Sequence, residues 1–241
     1  MKVVIRVNRM MYLVVFLIKN YWRKTNFIFQ FLIFAIVCGY FIDPRYAPYS
    51  HDFIILIKNI LLIIISLITT YQMNKINYNR TVYVLLNRVK RKFYYTSVAI
   101  SVFIIVLGFS ILLDIYILIF AGISLQNFFT FTLVIYSIIN ISLAIMVINM
   151  FSVYTVAEGY QVIGIIMIGF GLIPKWYENL PFEKILYYLS YLLPPIGNNI
   201  LIQQNNSFLS WNLLLSFLYL LIIYIVGVNL FETRNLTDLK Q

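Results

Sequence analysis

Apolar residues in this chain occur in long uninterrupted runs separated by short polar segments. A helix needs about 20 residues to cross the roughly 30 Å hydrocarbon core of a bilayer. Six runs approach or exceed this length and predict six transmembrane helices, at residues 25–42, 53–73, 96–121, 128–151, 153–173 and 211–231. The fifth run begins either at Val153 or at Gly159. The pattern therefore predicts an all-α polytopic membrane protein, with residues 1–241 forming a single transmembrane domain.

The N-terminal segment, residues 1–24, is basic at first and then apolar. Lys2, Arg6 and Arg9 follow the helical spacing i, i+4, i+7 and share one face. The apolar run at residues 10–18 is too short to span a bilayer, and basic residues follow it where a signal peptide would have a small-residue cleavage site. The pattern predicts an interfacial helix along the cytoplasmic leaflet, with an unstructured basic leader as the alternative.

The largest polar segment between predicted spans contains a second amphipathic pattern. Four apolar residues recur at i, i+3, i+4, i+7, namely Val82, Leu85, Leu86 and Val89. This spacing predicts a short cytoplasmic helix over residues 80–92, with basic residues towards its end. Such a helix can dock into a groove on a soluble partner, or it can lie on anionic lipid. The segment alone does not separate these two interpretations.

The segment between the fifth and sixth predicted spans is long and rich in proline. Residues 182–193 form an apolar stretch that is too short to cross, and Pro181 and Pro194 stop it from continuing as helix. We expect a short external helix that dips into the bilayer as a re-entrant segment or packs on protein. Residues 198–206, which are rich in asparagine and glutamine, are expected to form an uncharged polar loop.

Composition and charge define the class of protein. Hydrophobic residues make up 62 % of the chain, charged residues 11 %, and the mean hydropathy is +0.90, which excludes a soluble enzyme or a secreted disulfide scaffold. The net charge of +10 is a topology signal, because fourteen lysines and arginines fall on one side of the predicted spans and three on the other. We therefore expect a multi-pass protein of the cell membrane with both termini cytoplasmic, a lipid bilayer around it and no nucleic-acid partner.

The residues required for common catalytic and metal sites are scarce. Cys38 and His51 are the single cysteine and histidine, and the chain has no phosphate-binding loop of the GxxxxGK[ST] type. We predict no catalytic, cofactor-binding or metal-binding residue. An intramembrane enzyme is a remote alternative, because it would need polar catalytic groups clustered at one depth. Any ATP must be bound by a partner chain.

Ionisable residues near membrane depth are candidate functional residues. Asp114 is deep if the third span continues to Ala121 and interfacial if the span ends at Leu113. It is therefore either a polar group on a substrate path or an ordinary interfacial aspartate. Lys58 is expected to extend from the second span towards water. Glu158, at the start of the fifth span, suits a helix N-terminus and is also placed to contact a soluble partner.

The fifth predicted span is rich in glycine. Small residues allow helices to approach closely in lipid, so Gly164 and Gly169 are candidates for a dimer interface.

The order of these elements resembles that of ABC-2-type permeases, the membrane subunits of ATP-binding-cassette exporters. Residues 80–86, with Arg88 and Arg91, are similar to the cytoplasmic coupling segment of that family. Asn79 and Arg80 stand where the family usually has Glu and Gly, and the family's proline before the later arginine is absent. Residues 169–174, the Leu-Pro pairs at 180–181 and 193–194, and residues 231–236 resemble the family's external helices and cytoplasmic ending.

The resemblance implies a half-transporter. Two such subunits, identical or paired with a paralogue, would form the translocation path, and separate cytoplasmic ABC ATPase subunits would drive export of an amphipathic peptide or other hydrophobic compound. The residues implied to couple to the ATPase are Arg80, Thr81, Val82, Leu85, Leu86, Val89 and Glu158. The alternative from another class is a membrane immunity or receptor protein that binds a peptide without transporting it.

Overall fold

The structure is a computed structural model that describes residues 2–23, 26–41, 51–77, 89–120, 131–156, 159–173, 182–204 and 211–234. Within these residues all regular secondary structure is helical, which confirms the all-α part of the predicted fold class. The helices are α1 (Lys2–Trp22), α2 (Asn26–Phe41), α3 (His51–Asn77), α4 (Arg91–Phe120), α5 (Phe131–Met150), α6 (Gln161–Leu172), α7 (Glu183–Ser190), α8 (Ile196–Gln204) and α9 (Trp211–Thr233).

Four of these helices are long and apolar enough to cross a membrane. They are α3, α4, α5 and α9, with 27, 30, 20 and 23 residues. They correspond to the second, third, fourth and sixth predicted spans. The third span takes the longer of its two predicted ends, because α4 continues through Asp114 to Phe120. The four helices fit a membrane protein.

The first and fifth predicted spans correspond to shorter helices. With a rise of about 1.5 Å per residue, the 16 residues of α2 cover about 24 Å and the 12 residues of α6 about 18 Å. The fifth span does not begin at Val153, because residues 151–156 form turns. The backbone N–H groups of Thr155 and Val156 both donate to the Ser152 carbonyl, and the buried Tyr154 ring packs edge-on against Phe231. These contacts end α5 and turn the chain before α6.

Helix α5 lies at the centre of the bundle and packs against α3, α4, α6, α8 and α9. Of its spanning stretch, 67 % is buried inside the molecule, against 17 % for α9. One apolar cluster joins α1, α2, α3 and α4, and a second surrounds α5 with residues of α6, α8 and α9. Helix α9 therefore presents most of its apolar surface outwards, as a lipid-facing span does.

One end of the bundle carries a cluster of basic residues, and we call it the basic end. The hydroxyl of Tyr154 donates to the Asn74 carbonyl at 2.9 Å, which joins the turn after α5 to the last turns of α3. Arg91, the first residue of α4, reaches the last residues of α9. Hence α3, α5 and α9 run towards the basic end and α4 runs away from it. The basic residues there are Lys75, Lys90, Arg91, Lys92 and Arg234.

Helix α1 packs along α4 with a stripe of one residue per turn. Leu13, Leu17 and Tyr21 are buried, whereas Tyr12 and Trp22 are more than half exposed. The N-terminal segment is thus helical from Lys2, as the interfacial-helix prediction requires and the unstructured leader does not. Its apolar side chains on both the packed and the outward side suit a lipid environment. Its position at the membrane surface stays a prediction.

The segment before α9 differs most from expectation. The apolar helix predicted at residues 182–193 is shorter, α7 at Glu183–Ser190, and its side chains are mainly exposed. Residues 196–204 form α8, which packs against α3, α5, α6 and α9. The expectation of a polar loop is therefore wrong for residues 198–204. The physical reason is that the amides of α8 find hydrogen-bond partners inside the bundle.

Candidate functional site

A buried network of amides and hydroxyls connects α8 to three of the helices around it, α3, α5 and α9. Its members, which we call the amide network, are Asn59, Ser137, Asn140, Asn199, Gln203 and Ser216, each at most 5 % exposed. Asn199 is at its centre. The Asn199 amide nitrogen lies 2.9 Å from Asn140 Oδ1 and 3.0 Å from Ser216 Oγ. One asparagine of α8 thereby joins α5 to α9.

Gln203, one turn after Asn199, extends the amide network along the same face of α8. Its side-chain nitrogen donates to the Leu133 carbonyl at 3.1 Å and to Ser137 Oγ at 3.2 Å, and its oxygen accepts from Asn59 at 2.7 Å. Asn140 donates to Asn59 Oδ1 at 3.2 Å, which closes the path between α3 and α5. The i, i+4 spacing of Asn199 and Gln203 places both on the inner face of α8.

The amide network explains how a polar helix is stable inside an apolar bundle. An unpaired amide in a nonpolar environment costs several kcal/mol, roughly 2–7 depending on the reference, whereas these groups are paired with one another. The sequence contains two signs of it: Asn199 and Gln203 are four residues apart, and Asn59 and Asn140 interrupt apolar runs. The partners come from α3, α5, α8 and α9, so their pairing depends on the tertiary fold.

The amide network predicts unequal effects for two neighbouring asparagines. Asn199→Leu removes the central donor and acceptor, and we expect the free energy of unfolding to fall by about 1–2 kcal/mol because Asn140 and Ser216 lose a partner. Asn198→Leu is the matched control, because Asn198 is outside the amide network. Unfolding in mixed micelles measures both. Equal stability of the two variants would contradict a structural role for the amide network.

Lys58 and Asp114 form an ion pair between α3 and α4, with Lys58 Nζ 2.5 Å from an Asp114 carboxylate oxygen. The two side chains are 9 % and 15 % exposed. Lys58 is seven residues after the first residue of α3, and Asp114 is six residues before the last residue of α4. Both therefore lie about 10 Å inside the helices, at the end opposite the basic end. Lys58 does not extend to water as expected, because it pairs with Asp114. A role for Asp114 on a substrate path stays a prediction.

The basic end is held together by two arginines. The Arg91 guanidinium donates to three carbonyls at the end of α9, those of Phe231 at 3.1 Å, Glu232 at 2.8 Å and Arg234 at 2.6 Å. The Arg234 guanidinium in turn donates to the Val153 carbonyl in the turn after α5. A cation at the C-terminus of a helix is favoured by the helix dipole and satisfies carbonyls that lack an intrahelical partner. The start of α4 and the end of α9 are thus mechanically linked.

At the opposite end, a cleft of about 180 Å³ opens between the end of α6, α7, the start of α8 and the start of α9. Its aromatic lining consists of Phe170, Tyr187, Tyr191, Trp211 and Tyr219. Its polar side chains include Ser190, Asn198 and Asn212. None of the described residues that line this cleft carries a charge.

The residues predicted to couple to an ATPase are mostly outside the described part of the chain. Arg80, Thr81, Val82, Leu85, Leu86 and Glu158 lie there, so their predicted roles are untested. Val89 is described, directly before α4, and packs against the apolar cluster of α1 to α4. It is therefore at the basic end, two residues from Arg91.

The two glycines predicted for a dimer interface have different surroundings. Gly164 faces α5 of the same chain, where an added Cβ would lie 3.0 Å from Ile148 Cδ1. Gly169 has no atom within 4 Å of such a Cβ. Gly164 thus serves packing within the chain, and Gly169 lies on the open face of α6. Contact of either residue with a second subunit stays a prediction.

The described residues contain no group of three His, Cys, Asp or Glu side chains placed to hold a metal ion. Their visible chemistry includes hydrogen bonding, a buried ion pair and apolar contact. No protein family, curated protein or solved structure matches this chain.

Proposed function

We propose that this chain is the permease subunit of an ABC exporter, forming a translocation path with a second copy or a paralogue and driven by separate cytoplasmic ATPase subunits. The observation that carries the proposal is the construction of the basic end. Residues 78–88, which include most of the predicted coupling helix, connect α3 to α4 at this end. Arg91 then ties the start of α4 to the end of α9. A force on residues 80–92 would therefore reach two long helices directly.

In this proposal the basic end faces the cytoplasm, in accordance with the positive-inside rule. Helices α2 and α6 complete six spans, with α7 and α8 on the outer side. Closure of the ATPases would move Val89 and Arg91, and the linked helices would shift between two arrangements of different affinity for substrate. The substrate is an amphipathic peptide or another hydrophobic compound, for which Asp114 lies beside the path.

Disrupting the apolar face of the coupling segment tests the proposal. We expect Leu85→Asp/Leu86→Asp to abolish binding of the partner ATPase, because two apolar side chains of the predicted docking face would be replaced by charges, while the protein still inserts in the membrane. The measurement is the amount of a phosphate-loop ATPase recovered with the tagged chain from its own host, by quantitative mass spectrometry. Wild type should recover about one ATPase per permease.

The matched control is Val84→Asp/Asn87→Asp, which adds the same charge to the opposite face of the predicted helix. It should retain most of the ATPase. The proposal would be wrong if wild type recovers no such ATPase in several mild detergents. The coupling assignment alone would be wrong if both double variants recover it equally well.

A second candidate function is a membrane receptor or immunity protein that binds a peptide without transport. The cleft near α7 and α8 favours it, because the cleft is open and lined by aromatic side chains. This candidate predicts that Leu85→Asp/Leu86→Asp leaves protection of the host intact, whereas an exporter would lose it.

A further inference from the structure

The cleft at the end opposite the basic end has walls that are held in place. The backbone of α6 touches the turn between α7 and α8 so closely that a Cβ at Gly171 would lie 2.5 Å from the Pro194 carbonyl oxygen. The Tyr219 hydroxyl donates to the Leu192 carbonyl at 2.6 Å, which fixes α9 to the same turn. The cleft therefore has a defined shape before any ligand arrives.

The floor of the cleft is attached to the interior of the bundle. Asn198 lines the cleft, and the next residue, Asn199, is the centre of the amide network. Ser216 of that network lies one residue after Leu215, which also lines the cleft. On the outer wall, the hydroxyls of Tyr187 and Tyr191 are 2.5 Å apart and hold one ring against the other. A preformed site of this kind loses little free energy to reorganisation on binding.

The size and charge of the cleft restrict its ligand. A closed cavity of about 150 Å³ accommodates a benzene molecule, so a cleft of about 180 Å³ has room for one large side chain. The described lining offers no opposite charge to a lysine, an arginine or a carboxylate, so each would exchange its hydration for neutral hydrogen bonds alone. The aromatic rings supply apolar contact area on several sides.

The polar groups of the cleft distinguish a peptide from a lipid chain. Ser190, Asn198 and Asn212 offer donors and acceptors beside the rings. A hydrocarbon chain would cover these groups without hydrogen-bonding them, at a cost in free energy. A peptide can place an apolar side chain among the rings and its backbone amide beside the asparagines.

We propose that this cleft is a recognition site for a single uncharged aromatic or branched apolar side chain of a peptide, together with its adjacent backbone amide. The inference goes beyond the proposed function and does not require an ATPase, so the two are tested separately.

The experiment uses Trp211, which lines the cleft, as its own reporter. Trp22→Phe/Trp176→Phe leaves Trp211 as the single tryptophan of the full-length chain in detergent. We expect N-acetyl-L-phenylalaninamide to change the Trp211 emission saturably and N-acetyl-L-lysinamide not to do so. Leu215→Phe, which fills the cleft, should raise the dissociation constant about tenfold. Leu214→Phe, on the exposed face one residue away, should leave it nearly unchanged.

Three results would overturn the inference. A change that rises linearly without saturation would show partitioning into detergent, and an equal response to the lysine probe would remove the charge selectivity. A lipid that copurifies with wild type and Leu214→Phe but not with Leu215→Phe would assign the cleft to lipid. If Leu215→Phe does not fold, Ser190→Phe on the opposite wall carries the same test.

Discussion

Replacing Asp114 with asparagine should lower the free energy of unfolding by about 3 kcal/mol, because the buried ammonium of Lys58 would lose the carboxylate charge that it contacts. The ammonium of Lys58 is 2.5 Å from the carboxylate and 9 % exposed, so it has little access to water. Unfolding by a strong detergent in mixed micelles, followed by circular dichroism, measures the loss. Lys58→Met alone should lower the free energy of unfolding by a similar amount, because the Asp114 carboxylate would lose the ammonium that it contacts.

Two double variants separate the ion pair from the individual side chains. Lys58→Asp/Asp114→Lys should recover much of the lost stability, since the opposite charges face each other again. Lys58→Met/Asp114→Leu should be close to wild type in stability, because apolar replacement of a complete buried pair is often neutral or stabilising. If Asp114→Asn is as stable as wild type, the ion pair does not contribute to the stability of the fold. If Lys58→Met/Asp114→Leu is as stable as wild type but has lost the protein's activity, the ion pair is needed for function and not only for stability.

Replacing Gly227 with alanine should disrupt the packing of α9 against α4. A Cβ at this position would lie 2.7 Å from Tyr95 Cζ and even closer to the hydroxyl, so the ring must leave its place. Tyr95 is 2 % exposed and packs against Phe231, in the same contact region where Arg91 holds the end of α9. We expect a loss of about 3 kcal/mol in the free energy of unfolding.

Gly108→Ala is the matched control, because an added Cβ there meets no atom within 4 Å. A Gly to Ala change in an unobstructed helix raises stability by roughly 0.5–1 kcal/mol, so the two variants should move in opposite directions. Tyr95→Ala should make Gly227→Ala harmless, giving a double variant no less stable than Tyr95→Ala alone. Additive losses in that double variant would contradict the proposed contact between α4 and α9.

The sequence showed the two charged residues within the spans but not that they form an ion pair. Lys58 and Asp114 are 56 positions apart, and each interrupts an apolar run by itself. Considered singly, a lysine near the end of a span extends to water and an aspartate stays at the interface. The antiparallel packing of α3 and α4 brings the two charges to the same depth in the bundle. There they can pair with each other, which is more favourable than each side chain reaching water by itself.

The segment before α9 shows the same limit more strongly. Composition predicted that the apolar residues 182–193 dip into the bilayer or pack on protein, and that the polar residues after them form a loop. In the structure α7 is largely exposed and α8 is inside the bundle. Hydropathy measures the free energy of transferring each residue by itself from water to a nonpolar environment. It contains no information on the partners that Asn199 and Gln203 find on α3, α5 and α9.

The sequence by itself determined the class of the protein and the positions of its long helices. An apolar run of 20 residues or more has no stable alternative to a helix in lipid, because every backbone amide must be satisfied within the segment. That local rule identified α3, α4, α5 and α9. The tertiary structure decided where the polar side chains belong: the ion pair, the amide network, the arginine contacts at the basic end and the cleft. Each of these depends on several helices meeting at one depth, and their free energy exists only when the partners are present together.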